Sequence, residues 1–220
     1  MKITYWSDFN CPYSYIGLNR LTQATEELDL EFEWEMKAFE LEPMAADKPS
    51  QDMITRHAMK YDLDLNDAKT EIEEIEEIAR QEGLEINYMN TRLTSSRNAH
   101  RLIKFIENKH PELLQETVFK IYEANFCKNE IIADVDVLSK ILSPHGLENE
   151  VREMLLSDSY DIEVDIDEED ARFSGLYSVP HYLLNINGQQ LIIPGAFEKE
   201  YFKIAIEDML SGEMMDKTFI

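Results

Sequence analysis

Alternating apolar and polar residues predict short strands near both ends of the chain. Residues 2–6, KITYW, form one such run, and residues 30–38 form a second in which every other residue is apolar. Near the C-terminus, residues 179–186 and 189–195 form two β-rich runs joined across Asn187-Gly188, a dipeptide typical of hairpin turns. The pattern therefore predicts two N-terminal strands and a C-terminal β-hairpin.

Helical periodicity marks segments that follow these strands. One helix is predicted to begin at Pro12, because proline suits the first helical position, and another is predicted at 198–210. The inward-facing residues are expected to be Ile16, Leu18, Leu21, Ala24 and Leu28 in the first helix, and Phe202, Ile204, Ala205 and Met209 in the last.

Residues 49–171 have helical periods throughout. The clearest helix carries a narrow apolar stripe and is closed by Gly83, and shorter helices are predicted at 134–142 and 147–156. Residues 159–176 are ambiguous, because Ile162, Val164 and Ile166 alternate as in a strand while the sequence around Ala171 is helical. We interpret this segment as a helix.

The order of elements is then β-α-β, a helical block, a β-hairpin and a final helix. Without the block, this is the arrangement of a thioredoxin fold, in which a right-handed crossover places the first two strands side by side. We therefore predict an α/β protein with a thioredoxin-like fold and a large inserted all-helical subdomain. Residues 1–48 and 172–220 are assigned to the thioredoxin-like domain, and residues 49–171 to the insert.

The charge of the chain narrows the range of partners. Its 45 acidic and 21 basic residues give a formal net charge of −24, so the surface should repel phosphate backbones and anionic lipids. We therefore expect no nucleic-acid partner and no membrane association. The N-terminus lacks the apolar run of a secretory signal, and no apolar stretch reaches about 18 residues, so the expected location is the cytoplasm.

Residues 8–17, DFNCPYSYIG, place a cysteine where the first strand ends and the first helix begins. The thiolate is the reactive form of cysteine, and a helix N-terminus stabilises it through free N–H groups and the helix dipole. Cysteines at such positions have pKa values lowered from about 8.5 to roughly 3.5–7.5. Position alone leaves two interpretations of Cys11 open: an activated nucleophile, or a small buried residue that only packs.

Several motifs carry a resemblance to a known family. Residues 11–17, CPYSYIG, resemble the C-P-W-C-Y-I-G start of the FrnE-like branch of the DsbA thioredoxin-like oxidoreductases. Further motifs agree in the same order: FELEP at 39–43 resembles F-E-L-x-P, AHRL at 99–102 is similar to an A-H-R-L helix, Ser178-Val179-Pro180 falls on G-V-P, and Gly195-Ala196 falls on a G-A-Q turn. The resemblance extends from residue 8 to about residue 197.

The resemblance implies thiol-disulfide exchange with Cys11 as the nucleophile. It also implies a cis peptide bond that faces Cys11, and substrate contacts from Pro12, Tyr13, Val179 and Pro180. Ser14 stands where the family has its second cysteine; a serine cannot resolve a mixed disulfide, but it can donate a hydrogen bond to the thiolate. We therefore expect a one-cysteine route in which an outside thiol releases the product.

The expected partners are a protein disulfide or a small thiol or disulfide. No bound cofactor is expected, although glutathione or another low-molecular-weight thiol is a candidate co-substrate. The two cysteines are too few for a disulfide framework, and Cys127 is interpreted as a spectator thiol. The five histidines lack the spacing of metal ligands, so no metal site is expected, and the protein is expected to be a monomer or a homodimer.

Two alternatives remain open. The kappa-class glutathione transferases and the 2-hydroxychromene-2-carboxylate isomerases typically have S-P-Y-S at this site, which Pro12-Tyr13-Ser14 resembles, so a glutathione-dependent isomerase or transferase is the first. Those enzymes usually hold glutathione with a G-S-D or G-N-D turn, whereas this chain has Gly195-Ala196-Phe197. The second alternative is a non-catalytic binding or chaperone-like module.

Overall fold

The computed structural model describes residues 1–212 of the chain. Within them, four strands form one sheet: β1 (Lys2–Ser7), β2 (Glu33–Ala38), β3 (His181–Ile186) and β4 (Gln189–Pro194), in the order β2-β1-β3-β4. β1 pairs in parallel with β2 and antiparallel with β3, and β3 pairs antiparallel with β4. The register places Tyr5 opposite Met36 on one side and Tyr182 on the other.

The turn between β3 and β4 follows directly from the sequence. Asn187 and Gly188 both have positive φ angles, of 52° and 78°. A two-residue hairpin turn of this kind needs positive φ at both positions, which glycine adopts freely and asparagine tolerates. The hairpin is therefore confirmed at the dipeptide that predicted it.

Nine α-helices are present in the described part of the chain. They are α1 (Pro12–Glu27), α2 (Met53–Tyr61), α3 (Leu65–Gln81), α4 (Arg97–Lys109), α5 (Leu114–Tyr122), α6 (Val135–Ile141), α7 (Glu148–Leu155), α8 (Asp161–Phe173) and α9 (Lys199–Ser211). Helices α2 to α8 lie between β2 and β3, which confirms a thioredoxin-like fold with a helical insert. The domain boundaries stay predictions, and residues 213–220 of the second thioredoxin-like segment lie outside the described residues.

Helix α8 resolves the ambiguous segment in favour of a helix. Val164, Asp167 and Ala171, spaced three and four residues apart, form its buried face. Ile162 and Ile166, which suggested a strand, are 71% and 50% exposed. Their alternation with Val164 therefore does not reflect a common buried face.

The predicted inward face of α9 is wrong at one position. Ile204 is 53% exposed, whereas Ile206 is fully buried together with Phe202. Ala205 and Met209 are buried as predicted, and they lie three and seven residues after Phe202. Positions with this spacing and the intervening i+4 position share one face of a helix, which places Ile206 inside and Ile204 outside.

A hydrophobic cluster joins the sheet to the helical insert. It contains Tyr5 and Tyr182 from the sheet, and Ile72 and Ile103 from the insert. Burial of this apolar surface is the main contribution that stabilises the contact between the two parts. No helix among residues 1–212 is long and apolar enough to cross a membrane.

Carboxylate side chains cover the outer edge of β2. N–H groups of this edge strand, and of Glu40 two residues beyond it, donate to side chains from α4 and α8: Met36 to Glu107 Oε1 at 2.8 Å, Ala38 to Asp167 Oδ2 at 2.9 Å, and Glu40 to Glu168 Oε1 at 3.2 Å. Lys104 Nζ donates to the Met36 carbonyl oxygen at 2.6 Å. These contacts satisfy backbone groups that a neighbouring strand would otherwise bind.

Candidate functional site

Cys11 lies at the junction between β1 and α1. It is the N-cap residue of α1, with extended backbone angles (φ −103°, ψ 111°), and Pro12 follows it in the first helical turn. The Cys11 N–H donates to the Asp8 carbonyl oxygen at 3.0 Å, and the Ser14 N–H donates to the Cys11 carbonyl oxygen at 3.1 Å. This turn leaves the thiol beside the N–H groups of the first helical turn.

The turn before Cys11 is held by side chains that the sequence analysis did not single out. The fully buried Asp8 carboxylate accepts hydrogen bonds from the Asn10 N–H at 3.1 Å and the Leu41 N–H at 2.8 Å. Asn125 Nδ2, from the helical insert, donates to the Phe9 carbonyl oxygen at 2.8 Å. Both the segment after β2 and the insert therefore anchor the turn. The sequence signal for Asp8 and Asn10 was only their helix-capping residue type.

The segment before β3 lies against the Cys11 sulfur. The Val179-Pro180 peptide bond is cis, as the resemblance predicts. Cys11 Sγ donates to the Val179 carbonyl oxygen across 3.7 Å, and the Gly195 N–H donates to the Pro180 carbonyl oxygen at 2.8 Å. The structure therefore brings together Cys11 and Val179, which are 168 residues apart in the sequence.

The surroundings of Cys11 raise the pKa of its thiol. Burial is the largest cause, and the negative charge of Asp8 acts in the same direction. The Ser14 hydroxyl and the N–H groups of Ser14 and Tyr13 lower the pKa, but they do not outweigh burial. Of the effects that act on this thiol, burial therefore outweighs the stabilising effect of the helix start.

Ser14 is fully buried one helical turn after Cys11. Its hydroxyl makes no hydrogen bond of normal geometry with any of the described residues. It is nevertheless the group that lowers the pKa of Cys11 the most. This combination fits a donor whose acceptor is the thiolate rather than the thiol, since a thiolate is much the stronger acceptor.

A cleft opens beside the first turn of α1, with a volume of about 350 Å³. Cys11, Pro12 and Tyr13 form one wall, and α2 and α3 supply the other with side chains that include His57, Tyr61, Glu71 and Glu74. Pro12 and Tyr13 therefore line the same cleft as Cys11, and their contact with a substrate stays a prediction. The Val179 carbonyl oxygen lies near the Cys11 sulfur, but neither Val179 nor Pro180 lines this cleft.

Most ionisable groups of the cleft have a partner. His57 Nε2 lies 2.9 Å from Glu71 Oε2, and Lys60 Nζ lies 3.6 Å from Glu42 Oε1. Burial raises the pKa of the half-exposed Tyr13, to which the nearby Cys11, Tyr61, Glu71 and Glu74 contribute further. In residues 1–212, no group of three or more His, Cys, Asp or Glu side chains is placed to hold a metal ion.

Cys127 is a free thiol that does not lie near Cys11. It ends the π-helical turn Glu123–Cys127 and is half-buried beside Tyr15. Burial raises the pKa of its thiol, and the carboxylate of Glu123 raises it further. Cys127 does not line the cleft beside Cys11.

Comparisons with known proteins agree with this geometry. The uncharacterized protein YwbO of Bacillus subtilis (strain 168) is 24% identical over 214 residues, which cover 94% of this chain and 96% of that protein. The crystal structure of the probable DsbA oxidoreductase SCO1869 from Streptomyces coelicolor has a TM-score of 0.84 at 26% identity, and the match covers 100% of this chain and 92% of that one.

A second solved structure shares the fold at lower identity. The cytosolic disulfide reductase DsbM from Pseudomonas aeruginosa, also solved with GSH, has a TM-score of 0.63 at 14% identity over 98% of both chains. The sequence profile of the DSBA-like thioredoxin domain matches residues 2–207, nearly the whole chain. The protein therefore belongs to the DSBA-like thioredoxin domain family.

Proposed function

We propose that the protein is a thiol-disulfide oxidoreductase that uses Cys11 as its single nucleophile and forms mixed disulfides with protein or low-molecular-weight thiols. The observation that carries the proposal is the position of the Cys11 sulfur. It lies at the start of α1, 3.7 Å from the carbonyl oxygen before the cis proline, and in the wall of a cleft of about 350 Å³.

The exchange step needs few groups from the protein. The Cys11 thiolate attacks one sulfur of a disulfide, a new S–S bond forms, and the second sulfur leaves as a thiolate that takes a proton from water. Ser14 and the N–H groups of the first helical turn stabilise the attacking thiolate. Pro12, Tyr13, Val179 and Pro180 orient the substrate around the sulfur. An outside thiol then releases the adduct, since Ser14 cannot.

The raised pKa of Cys11 has two consequences for this exchange. Because little thiolate is present at neutral pH, attack on a disulfide is slow there and accelerates as the pH rises. Because a thiol of raised pKa is a poor leaving group, the Cys11 mixed disulfide persists until a second thiol attacks it. Both consequences suit a protein that holds an adduct rather than one that turns over rapidly.

The comparisons support two parts of this proposal, the thiol-disulfide chemistry and a small thiol as partner. DsbM is named a cytosolic disulfide reductase and has been solved with GSH. Glutathione or another low-molecular-weight thiol is accordingly our proposed co-substrate, and the cytoplasm our proposed location.

The test is intact-protein mass spectrometry after exposure to glutathione disulfide. We expect one glutathione adduct on the wild-type protein and on the Cys127→Ser variant, no adduct on Cys11→Ser, and release of the adduct by dithiothreitol. An adduct that persists on Cys11→Ser and disappears from Cys127→Ser would contradict the assignment of the nucleophile. Isothermal titration with reduced glutathione tests the isomerase or transferase alternative, which tight binding without any adduct would favour.

A further inference from the structure

The wall of the Cys11 cleft contains a buried acceptor that the protein does not use. Asn10 is 6% exposed and lines the cleft next to Cys11. Its Nδ2 donates to the Thr94 carbonyl oxygen at 2.8 Å, which sets the orientation of the amide. Asn10 Oδ1 has no hydrogen-bond partner among residues 1–212. A buried polar atom without a partner destabilises the protein, so a donor from a ligand placed there gains a favourable contact.

The charges of the cleft leave one carboxylate unmatched. The basic groups that line it are engaged, His57 with Glu71 and Lys60 with Glu42. Glu74 lines the same cleft and makes no ion pair or hydrogen bond with the described residues. Its negative charge acts inside the cleft, because it contributes to the raised pKa of Tyr13, after the larger contributions of burial, Cys11, Tyr61 and Glu71.

Two partly exposed aromatic rings also line the cleft. Tyr13 is 42% exposed and Tyr61 is 54% exposed, and both line the cavity with Glu74. The face of a tyrosine ring attracts cations, and a carboxylate attracts them more strongly. Lys60 Nζ already lies 5.7 Å from the centre of the Tyr61 ring, so a cationic donor finds an amide oxygen, a free carboxylate and the Tyr13 ring within one cavity.

We propose that the small-molecule partner of Cys11 carries a primary ammonium group, as in the disulfide of an aminothiol. This inference rests on the proposed function and names the class of its substrate. An ammonium group has three donors and a positive charge, which match Asn10 Oδ1 and Glu74 together. A partner whose only charges are carboxylates meets the unpaired carboxylate of Glu74 instead and is repelled.

Cystamine, the disulfide of cysteamine, is the simplest probe of this class. The Cys11 thiolate attacks one of its sulfurs, the S–S bond of cystamine breaks, and a Cys11-cysteamine mixed disulfide forms. The other cysteamine leaves as a thiolate and takes a proton from water. Cys11 is oxidised and one half of cystamine is reduced, so no further reactant is needed.

The experiment measures adduct formation by intact mass in the Cys127→Ser background. Three disulfides are compared: cystamine, the neutral disulfide of mercaptoethanol, and the anionic disulfide of mercaptopropionate. Each rate is divided by the rate of the same disulfide with free N-acetylcysteine, which removes differences in intrinsic reactivity. We expect Glu74→Gln to slow the reaction with cystamine by about threefold to fivefold relative to the reaction with the neutral disulfide.

A matched control separates the cleft from the general charge of the protein. Glu73→Gln makes the same charge change one residue away on α3, at an exposed position that pairs with Lys69 at 3.5 Å and does not line the cleft. We expect this variant to react with cystamine at the parent rate. Glu74→Lys should accelerate the reaction with the mercaptopropionate disulfide, and both effects should weaken as salt is added.

The outcomes distinguish this inference from the proposed function. If cystamine still forms the adduct but Glu74→Gln has no effect, or Glu73→Gln has an equal one, the attraction is general and the inference is wrong while the proposed function stands. Faster normalised reaction of the mercaptopropionate disulfide than of cystamine also overturns it. Failure of all three disulfides to modify folded Cys11 overturns the proposed function itself.

Discussion

Cys11 and Cys127 are both free thiols, but Cys11 lies at the N-terminal end of a helix and Cys127 at the C-terminal end of one. Cys11 precedes α1, whereas Cys127 is the last residue of the π-helical turn that continues α5. Burial is the largest cause that raises the pKa of both thiols. The next contribution has opposite signs, because Ser14 lowers the pKa of Cys11 whereas the carboxylate of Glu123 raises that of Cys127.

This difference separates the effect of burial from that of helix position. The first turn of a helix presents free N–H groups, which stabilise a thiolate, and the last turn presents free carbonyl oxygens, which do not. Cys11 also has open space beside it in the cleft, whereas Cys127 contacts Tyr15. Burial alone therefore does not tell a nucleophile from a spectator; the donors and the space next to the sulfur do.

The largest change in this comparison is expected from Ser14→Cys, which supplies a second thiol one helical turn from Cys11. In the Cys127→Ser background, attack within the molecule should shorten the lifetime of a Cys11 mixed disulfide by about tenfold or more, since the attacking thiol is held nearby. The decay of the adduct by intact mass measures that lifetime. A folded variant whose adduct persists unchanged would show that the residue 14 side chain does not reach the sulfur.

An intermediate change is expected from Ser14→Ala, which removes the hydroxyl donor and so raises the pKa of Cys11 further. Since a higher pKa leaves less thiolate at any lower pH, alkylation of Cys11 by iodoacetamide at neutral pH should slow by about threefold to tenfold. The midpoint of its pH profile should move to higher pH. Peptide mass spectrometry reads both cysteines, and Cys127 in the same molecule should keep its rate. A wild-type midpoint below that of an ordinary thiol would contradict the dominance of burial.

The smallest change is expected at the other thiol. Glu123→Gln removes a negative charge beside Cys127, which lowers the pKa of that thiol and increases its thiolate fraction at a given pH. Alkylation of Cys127 should accelerate by about twofold, the size expected for one partly exposed charge. The rate at Cys11 should not change. An equal acceleration at Cys11 would mean that the two thiols respond to total charge rather than to their neighbours.

Local signals in the sequence predicted the parts of the site that depend on neighbouring residues. Cys11 before Pro12 was enough to place a thiol at a helix start, and Asn187-Gly188 was enough to place the hairpin. Both features depend on backbone angles that particular residues favour, so a short stretch of sequence determines them.

The features that depend on distant contacts were not predicted. The pKa of Cys11 rises because the chain folds over the thiol, and its position at the helix start left this direction open. Asn10 and Glu74 lie 64 positions apart and line the same cleft, although neither belongs to a recognisable motif. The error at Ile204 is of another kind, because helical spacing from Phe202 already places Ile206 rather than Ile204 on the buried face.

The carboxyl groups that accept hydrogen bonds from the outer edge of β2 make the solubility of the protein depend on pH. Burial raises the pKa of Glu107, so this carboxyl loses its charge at a higher pH than an ordinary one, and its hold on the Met36 N–H weakens. The sequence pI is about 4.5, so the net negative charge that keeps molecules apart also disappears as the solution becomes acidic. Acidification thus weakens one of the hydrogen bonds on the outer edge of β2 while it reduces the repulsion between molecules, and both changes favour edge-to-edge aggregation.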